Sequence, residues 1–388
     1  MRIALVNPVF SSSHGGLERF SINLATALHD EGHEVHVIGQ RLEDLPNGVI
    51  RHPVQFSRWP SWWRPLSFQR AVRQVLATSS FDVVYGLCRC FPLHFYRMGD
   101  GVQRHWLRLR YPFALWRWLA CLFNPVHLVN LYLESRVLGA NGCRLVTNSR
   151  LCREHARHYY GVKPDRVQVI YNGVNHDIFS PGAVAPLRAD CRRELGLREA
   201  DIALLYISNN WQRKGLAVLM RAVAMLGEKG AVLHLVVVGR GRPRSFHRLA
   251  WQLGLKERVH FVGPSSEVQR YYAAGDLLVL PTLYDPFANV CLEAMASGLP
   301  VVTTSSNGAA ELIVPGENGY IQEDASDAGE LARLLSNCLD RDRLHELGKA
   351  ALTTAEPFTR ERNMQQTLDL FGSRLSPVPA ASAAGERQ

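Results

Sequence analysis

Long apolar runs, paired cysteines and, over one stretch, acidic residues are scarce in this 388-residue chain. No apolar run approaches the roughly 18 residues that a membrane-spanning helix needs, and the best of them, Phe113–Phe123, is interrupted by Arg117. Eight Cys are too sparse for a disulfide framework. Cys88 and Cys90 form a C-x-C with no second pair to match, which argues against a zinc site and for reduced thiols in a cytosolic protein. The opening, MRIALVNPVF, has one Arg and a short apolar run before Asn-Pro, so it reads as a first strand and not as a cleaved signal. Acid is scarce between residues 51 and 125, where 11 Arg face only Asp82 and Asp100. That surplus equals the formal charge of the whole chain, +9, while residues 181–388 balance 23 basic against 23 acidic groups. Six of the eight Trp share the same stretch, a combination that points to an anionic partner, a membrane surface or nucleic acid.

What is present is apolar content of 47%, enough to bury large cores, in a length that suggests two domains of about 150–200 residues. IALV reads as a strand, SSSHGG as a turn, and Leu17, Phe20, Leu24 and Leu28 as one helical face ending at Gly32. HEVHVIG follows as a strand, with His33 and His36 expected to face outward. Residues 51–66 read as irregular, 68–78 as a helix and FDVVYG as a strand. A helix near 126–139, the strand CRLVTNS, a helix over 150–160 and the strand RVQVIYNG complete the first series. NGVNHDIFSPG, residues 172–182, reads as an interdomain linker. ALLYIS, HLVVVG, RVHFVG, LLVLPT and LPVVTT then alternate with helical segments. The expected fold is α/β, two Rossmann-like doubly wound domains facing a cleft, with ligands at the carboxyl ends of the strands. The expected boundaries are 1–172, carrying a basic-aromatic insertion near 51–66 and 104–123, and 173–358. A helix over 359–374 is expected to return to the first domain, and 375–388 to be a loose tail.

The densest chemistry lies in LPTLYDPFANVCLEAMASGLPVV, residues 280–302. Asp285 and Glu293 flank the opening of a helix at a strand's carboxyl end, where exposed N–H groups suit an anion and carboxylates suit sugar hydroxyls. On spacing alone, two solvated acids near a helix cap explain the pattern equally well.

Context adds more. D-x7-E followed by AMASGLPVV resembles the E-x7-E signature of family-4 glycosyltransferases, retaining enzymes of the two-domain GT-B fold. GGLERF at 15–20, YNGVNHDIFSP at 171–181, RKG at 213–215, VVVGRG, HFVG and DLLVLPT fall in the family's order, so the resemblance spans nearly the whole chain. Within the family the likeness is greatest to bacterial lipopolysaccharide core glucosyltransferases. The resemblance implies that Gly15 and Gly16 bring backbone N–H groups to a donor diphosphate, and that Arg213 and Lys214 neutralise it as its bond to the sugar breaks. It implies ribose contacts for Glu293, sugar or phosphate contacts for the backbone N–H groups of Phe287, Ala288 and Asn289, and a place near the donor for Gly239. Asp285 departs from the usual Glu by one methylene, which bears on donor identity. Asp100, in FYRMGDGV, takes the place of a family residue that faces the reacting sugar, either accepting the acceptor hydroxyl's proton or stabilising positive charge on the ring. No cofactor and no metal are expected; DRD at 340–342 has D-x-D spacing but reads as a solvated helix end.

The basic-aromatic segment admits two readings. Trp62, Trp63, Trp106 and Trp116 with Arg108, Arg110 and Arg117 suit an interfacial membrane anchor. Alternatively they are core aromatics of an irregular subdomain with Arg on its wet face. Nucleic acid is disfavoured because no binding motif accompanies the charge. The expected function is transfer of a hexose from a nucleotide sugar, UDP-glucose or a related UDP-hexose, to a lipid-linked or lipopolysaccharide-core acceptor at the inner face of the cytoplasmic membrane. A sugar-nucleotide epimerase of the same fold is one alternative. The other is an inactive module that binds sugar nucleotide or lipid as a partner protein.

Overall fold

The computed structural model describes residues 1–11, 16–57, 59–140 and 142–372. The expected loose tail, 375–388, lies outside the described residues, as does Gly15. The chain divides into two compact units, one of Met1–Tyr171 with the segment from Met364 onward, the other of Asn172–Asn363.

The first unit contains β1 (Arg2–Val6), β2 (Val9–Phe10), β3 (Glu34–Gly39), β4 (Arg41–Leu42), β5 (Ile50–Pro53), β6 (Val83–Gly86), β7 (Phe95–Arg97), β8 (Arg144–Thr147) and β9 (Val167–Val169). Seven strands form one sheet in the order β5-β3-β1-β6-β7-β8-β9, and β2 pairs with β4 apart from it. Every pairing is parallel, with Ile3 opposite both Val35 and Val83. A parallel sheet is covered on both faces, so its strands need apolar side chains on both. Ala4 and Val6 pack into one core with Phe68, Val72 and Val137, while Ile3 and Leu5 pack into a second with Leu24, Leu28 and Phe371.

The second unit repeats the plan with β10 (Ile202–Ile207), β11 (Leu233–Val238), β12 (Val259–Gly263), β13 (Leu277–Leu280), β14 (Val301–Thr304) and β15 (Gly319–Gln322). Their order is β12-β11-β10-β13-β14-β15, again all parallel. All six residues of β10 are buried, as its unbroken apolar sequence requires. In each sheet the strand order reverses once, between β1 and β6 and between β10 and β13. Crevices at such reversals are where doubly wound sheets bind ligands.

Several elements differ from the sequence expectation. Residues 51–66 are only partly irregular, since Ile50–Pro53 is an edge strand and the next helix begins at Trp63. Pro65 obscured that start, yet proline is tolerated in a helix's first turn, where no intrahelical N–H partner is lost. His36 does not face outward. It is buried, with Nδ1 against His52 Nε2 at 2.8 Å and Nε2 against Glu34 Oε1 at 2.9 Å. Asp340 does not end a helix but caps one, accepting from the Asp342 N–H at the start of Arg341–Ala355. All eight cysteines are free thiols.

Candidate active site

The loops after β10, β11, β13 and β14 build one polar cluster on the second unit. After β10 the chain turns through Asn210–Gly215 into the helix Leu216–Met225. Gly215 has φ +76°, and a Cβ there would stand 2.0 Å from the Pro281 carbonyl oxygen. Only glycine lets this turn lie against the end of β13. The same packing brings the Leu283 N–H to the Arg213 carbonyl (3.0 Å) and the Arg213 guanidinium to the Tyr284 carbonyl (3.3 Å). Lys214 is 8% exposed, and its ammonium pairs with Asp285. Burial first, and then the neighbouring Arg213, push the Lys214 ammonium down to about 7. The Asp285 carboxylate pulls the other way.

Asp285 is held on both sides. Its backbone bridges to Asn307, and its Oδ1 accepts from the Phe287 N–H at 3.0 Å. Buried Asn307 accepts from the N–H groups of Ala288 and Ala309, each at 3.1 Å, and donates to Thr303 Oγ1 at 2.9 Å. The N–H groups of Phe287 and Ala288 thus donate within the loop, to Asp285 and Asn307. Polar backbone in a buried loop must find partners, and Asp285 and Asn307 supply them. Asn289, exposed at the first turn of the helix Asn289–Ala296, accepts from Asn172 through its side chain at 2.6 Å. Glu293, one turn on, accepts at Oε2 from the hydroxyl of fully buried Tyr272 at 2.7 Å. Gly239, at the end of β11, has φ +112°, and a Cβ there would meet the Ser208 carbonyl oxygen at 2.2 Å. The two loops thus share one close backbone approach.

On the first unit, Gly16 opens the helix Gly16–Asp30. Asp100 lies in the turn after β7, its side chain 71% exposed, with Oδ2 3.8 Å from the Arg89 guanidinium. Two helices follow, Gln103–Arg110 and Ala114–Phe123. The second buries none of its residues; Leu115, Trp116, Trp118, Leu122 and Phe123 are all exposed, as is Phe113 beside them. The core-aromatic reading fails there. Trp62 and Trp63 are also exposed, packed edge to face at 5.9 Å. Trp106 is half-buried under the Arg110 guanidinium, and exposed Arg108 lies over the Tyr159 ring. Arg117 donates to the carbonyls of Tyr111 and Pro112. Among the described residues no helix is long and apolar enough to cross a membrane.

Comparison with known proteins decides the family. The sequence model for Glycosyltransferase Family 4 matches residues 14–178, and that for Glycosyl transferases group 1 matches residues 201–341. A D-inositol 3-phosphate glycosyltransferase of Thermomonospora curvata is 31% identical over 95% of this chain and 93% of its own length. The chain belongs to the family-4 glycosyltransferases of GT-B fold. This glycosyltransferase is also 26% identical to the lipopolysaccharide glucosyltransferase WaaG of Escherichia coli K12, over 85% of this chain and 87% of that one. A crystal structure of WaaG superposes with a TM-score of 0.83 at 24% identity, covering 96% and 100% of the two chains. Anabaena HepE, solved in complex with UDP, gives 0.71 at 22% identity, covering 96% and 100%.

The glycosyltransferase's structure brings Arg213, Lys214, Asp285 and Glu293 onto one end of one sheet. Sequence reasoning missed Asn307 and Tyr272, whose side chains hold that arrangement. Neither sits in a local pattern: Tyr272 acts 21 residues from Glu293, and Asn307 acts 19 residues from Ala288. A lone buried Asn after the strand VVTT was the one available signal, since a polar side chain there must serve several backbone groups.

Proposed function

We propose that this glycosyltransferase is a retaining hexosyltransferase that uses a UDP-hexose donor and a lipid-linked or lipopolysaccharide-core acceptor at the inner face of the cytoplasmic membrane. One observation carries the reading: a buried ammonium, Lys214, and its neighbour Arg213 stand at the strand-order reversal of the second unit, against a carboxylate that a phosphate can replace. A departing nucleoside diphosphate gathers negative charge on its β-phosphate oxygen as the bond to the anomeric carbon lengthens. Fixed cations in a site of low polarity stabilise that charge far better than water-exposed ones, and losing one such group raises a barrier by roughly 3–4 kcal/mol.

The other residues take complementary roles. Glu293, oriented by Tyr272, accepts from the ribose hydroxyls. Asp285, released from Lys214 by the incoming diphosphate, accepts from hydroxyls of the donor sugar. Being shorter than Glu, it favours a sugar seated close to the loop. Gly239 leaves room for backbone to approach the nucleotide. Asp100 receives the acceptor hydroxyl's proton as the new bond forms, or offsets positive charge on the ring, with no covalent intermediate and no metal. The exposed Trp, Leu and Phe side chains of Ala114–Phe123 lie in a strongly basic stretch, which supports seating on an anionic membrane. The names of WaaG and of HepE's bound nucleotide support the lipopolysaccharide and UDP parts of the reading.

A thermal-shift screen of UDP-glucose, UDP-galactose, GDP-mannose and ADP-glucose tests the donor class. A UDP-hexose at 100 times its dissociation constant is expected to add about 2.7 kcal/mol of stability. Labelled transfer to truncated lipopolysaccharide core, with the anomeric configuration read by NMR, tests the rest. Stabilisation only by another nucleotide, an inverted product, or release of an epimerised free nucleotide sugar would each overturn the proposal.

A further inference from the structure

Between Asp100 and Glu154 the chain holds a single carboxylate, Glu134, in a stretch dense with arginine. It sits on the helix Val126–Gly139 and is 1% exposed. Four donors converge on it. Oε2 accepts from Arg89 Nε at 3.3 Å and the Gln103 N–H at 2.7 Å; Oε1 accepts from the Arg104 N–H at 3.2 Å and the Tyr160 hydroxyl at 2.7 Å. The helix Gln103–Arg110 has Val102 at its cap position, with no side-chain cap of its own. Glu134, some 30 residues further along the chain, does that work. The Arg89 guanidinium that it holds donates in turn to the Gly101 carbonyl at 3.2 Å and lies 3.8 Å from Asp100 Oδ2.

A buried ion pair is weak grounds for stability, because apolar side chains of similar volume often serve as well or better. What this cluster does that apolar packing cannot is fix directions. Arg89 presents a rigid planar fork, one edge on Glu134 and the other on the Asp100–Gly101 turn. We propose that Glu134 is a positioning residue for transfer, holding the Asp100 turn through Arg89 while capping the helix that opens the basic-aromatic segment. The inference rests on the role assigned to Asp100 above.

Two measurements test it on the full-length protein. In hydrogen exchange, Glu134→Gln and the milder Arg89→Lys are expected to speed exchange at least tenfold in the peptide covering residues 99–105, with β10–β15 unchanged. Wild-type protection of that peptide in both variants overturns the proposal without any assay of activity. In a kinetic cycle with UDP-glucose and truncated lipopolysaccharide core, Glu134→Gln is expected to lower kcat at least tenfold while the dissociation constant for UDP stays within twofold. Combined with Asp100→Asn it adds nothing further, because both changes disable one device. Multiplicative losses, or a wild-type kcat in Glu134→Gln, overturn the positioning role. An Asp100→Asn enzyme with full kcat instead overturns the reading of Asp100 itself. Should Glu134→Gln fail to fold, Arg89→Lys takes its place in the same cycle and the same outcomes decide.

Discussion

At Lys214 burial and the charge of Arg213 pull one way, and the Asp285 carboxylate pulls the other. Water is nearly excluded from the ammonium and Arg213 stands beside it, so its proton is held loosely, at about 7, except as Asp285 retains it. On the proposed function, donor capture needs the charged form. The expected result is that kcat/KM for the donor falls as pH rises through about 7, approaching tenfold per pH unit. Lys214→Arg, charged at every accessible pH, is expected to lose that limb. A profile flat to pH 9 in the native protein would contradict it. Stability runs the other way. Between about 7 and lysine's ordinary value the unfolded chain binds the extra proton, so this group's contribution to folding rises with pH across that window. At this scale the sequence made Arg213, Lys214, Asp285 and Glu293 legible, because each sits in a contiguous motif. It left Tyr272, Asn307 and Glu134 silent. The partners that matter lie 19 to 45 residues away, and no local spacing encodes a partner that only folding brings near.

Among the elements, the strands were the most readable. IALLYI and LLVL are apolar throughout because both faces of a parallel sheet are covered, and four to six such residues have few other uses. Ala114–Phe123 shows the limit of that logic. Nine of its ten residues are apolar, yet none is fully buried within the chain, and composition alone left core and surface readings open. Exposed apolar side chains contribute little to folding, so Trp116→Ser with Trp118→Ser is expected to change stability by less than about 0.5 kcal/mol per site. Sedimentation with anionic vesicles is expected to drop several-fold in that variant. Unchanged sedimentation, or a large loss of stability, would show that the helix serves some other purpose.

Over the whole molecule, two sheets of one design share a single chain that runs through both and then returns. The helix Arg360–Gly372 places Phe371 in the core of the first unit, with ring centroids 5.4 Å from Tyr85 and 5.6 Å from Phe95. Phe371→Ala is expected to cost about 3–5 kcal/mol, in that unit alone. Hydrogen exchange should accelerate in β1, β6 and β7 and stay unchanged in β10–β13; equal acceleration in both would contradict the division. The two-sheet plan was legible in the alternation of strand and helix signals, and the uneven charge marked one unit off from the other. The chain's return was read as a helix over 359–374, and in the structure Met364, Leu368 and Leu370 pack beside Phe371 against the first unit's core.

The central claim is that the Arg213–Lys214 turn drives departure of a nucleoside diphosphate. Its most direct test is the turnover of Lys214→Ala with UDP-glucose and truncated lipopolysaccharide core, alongside circular dichroism to check the fold. The account predicts a folded protein that has lost at least a hundredfold in kcat, in keeping with roughly 3 kcal/mol of lost charge stabilisation. Near-native turnover in a folded Lys214→Ala protein would contradict it.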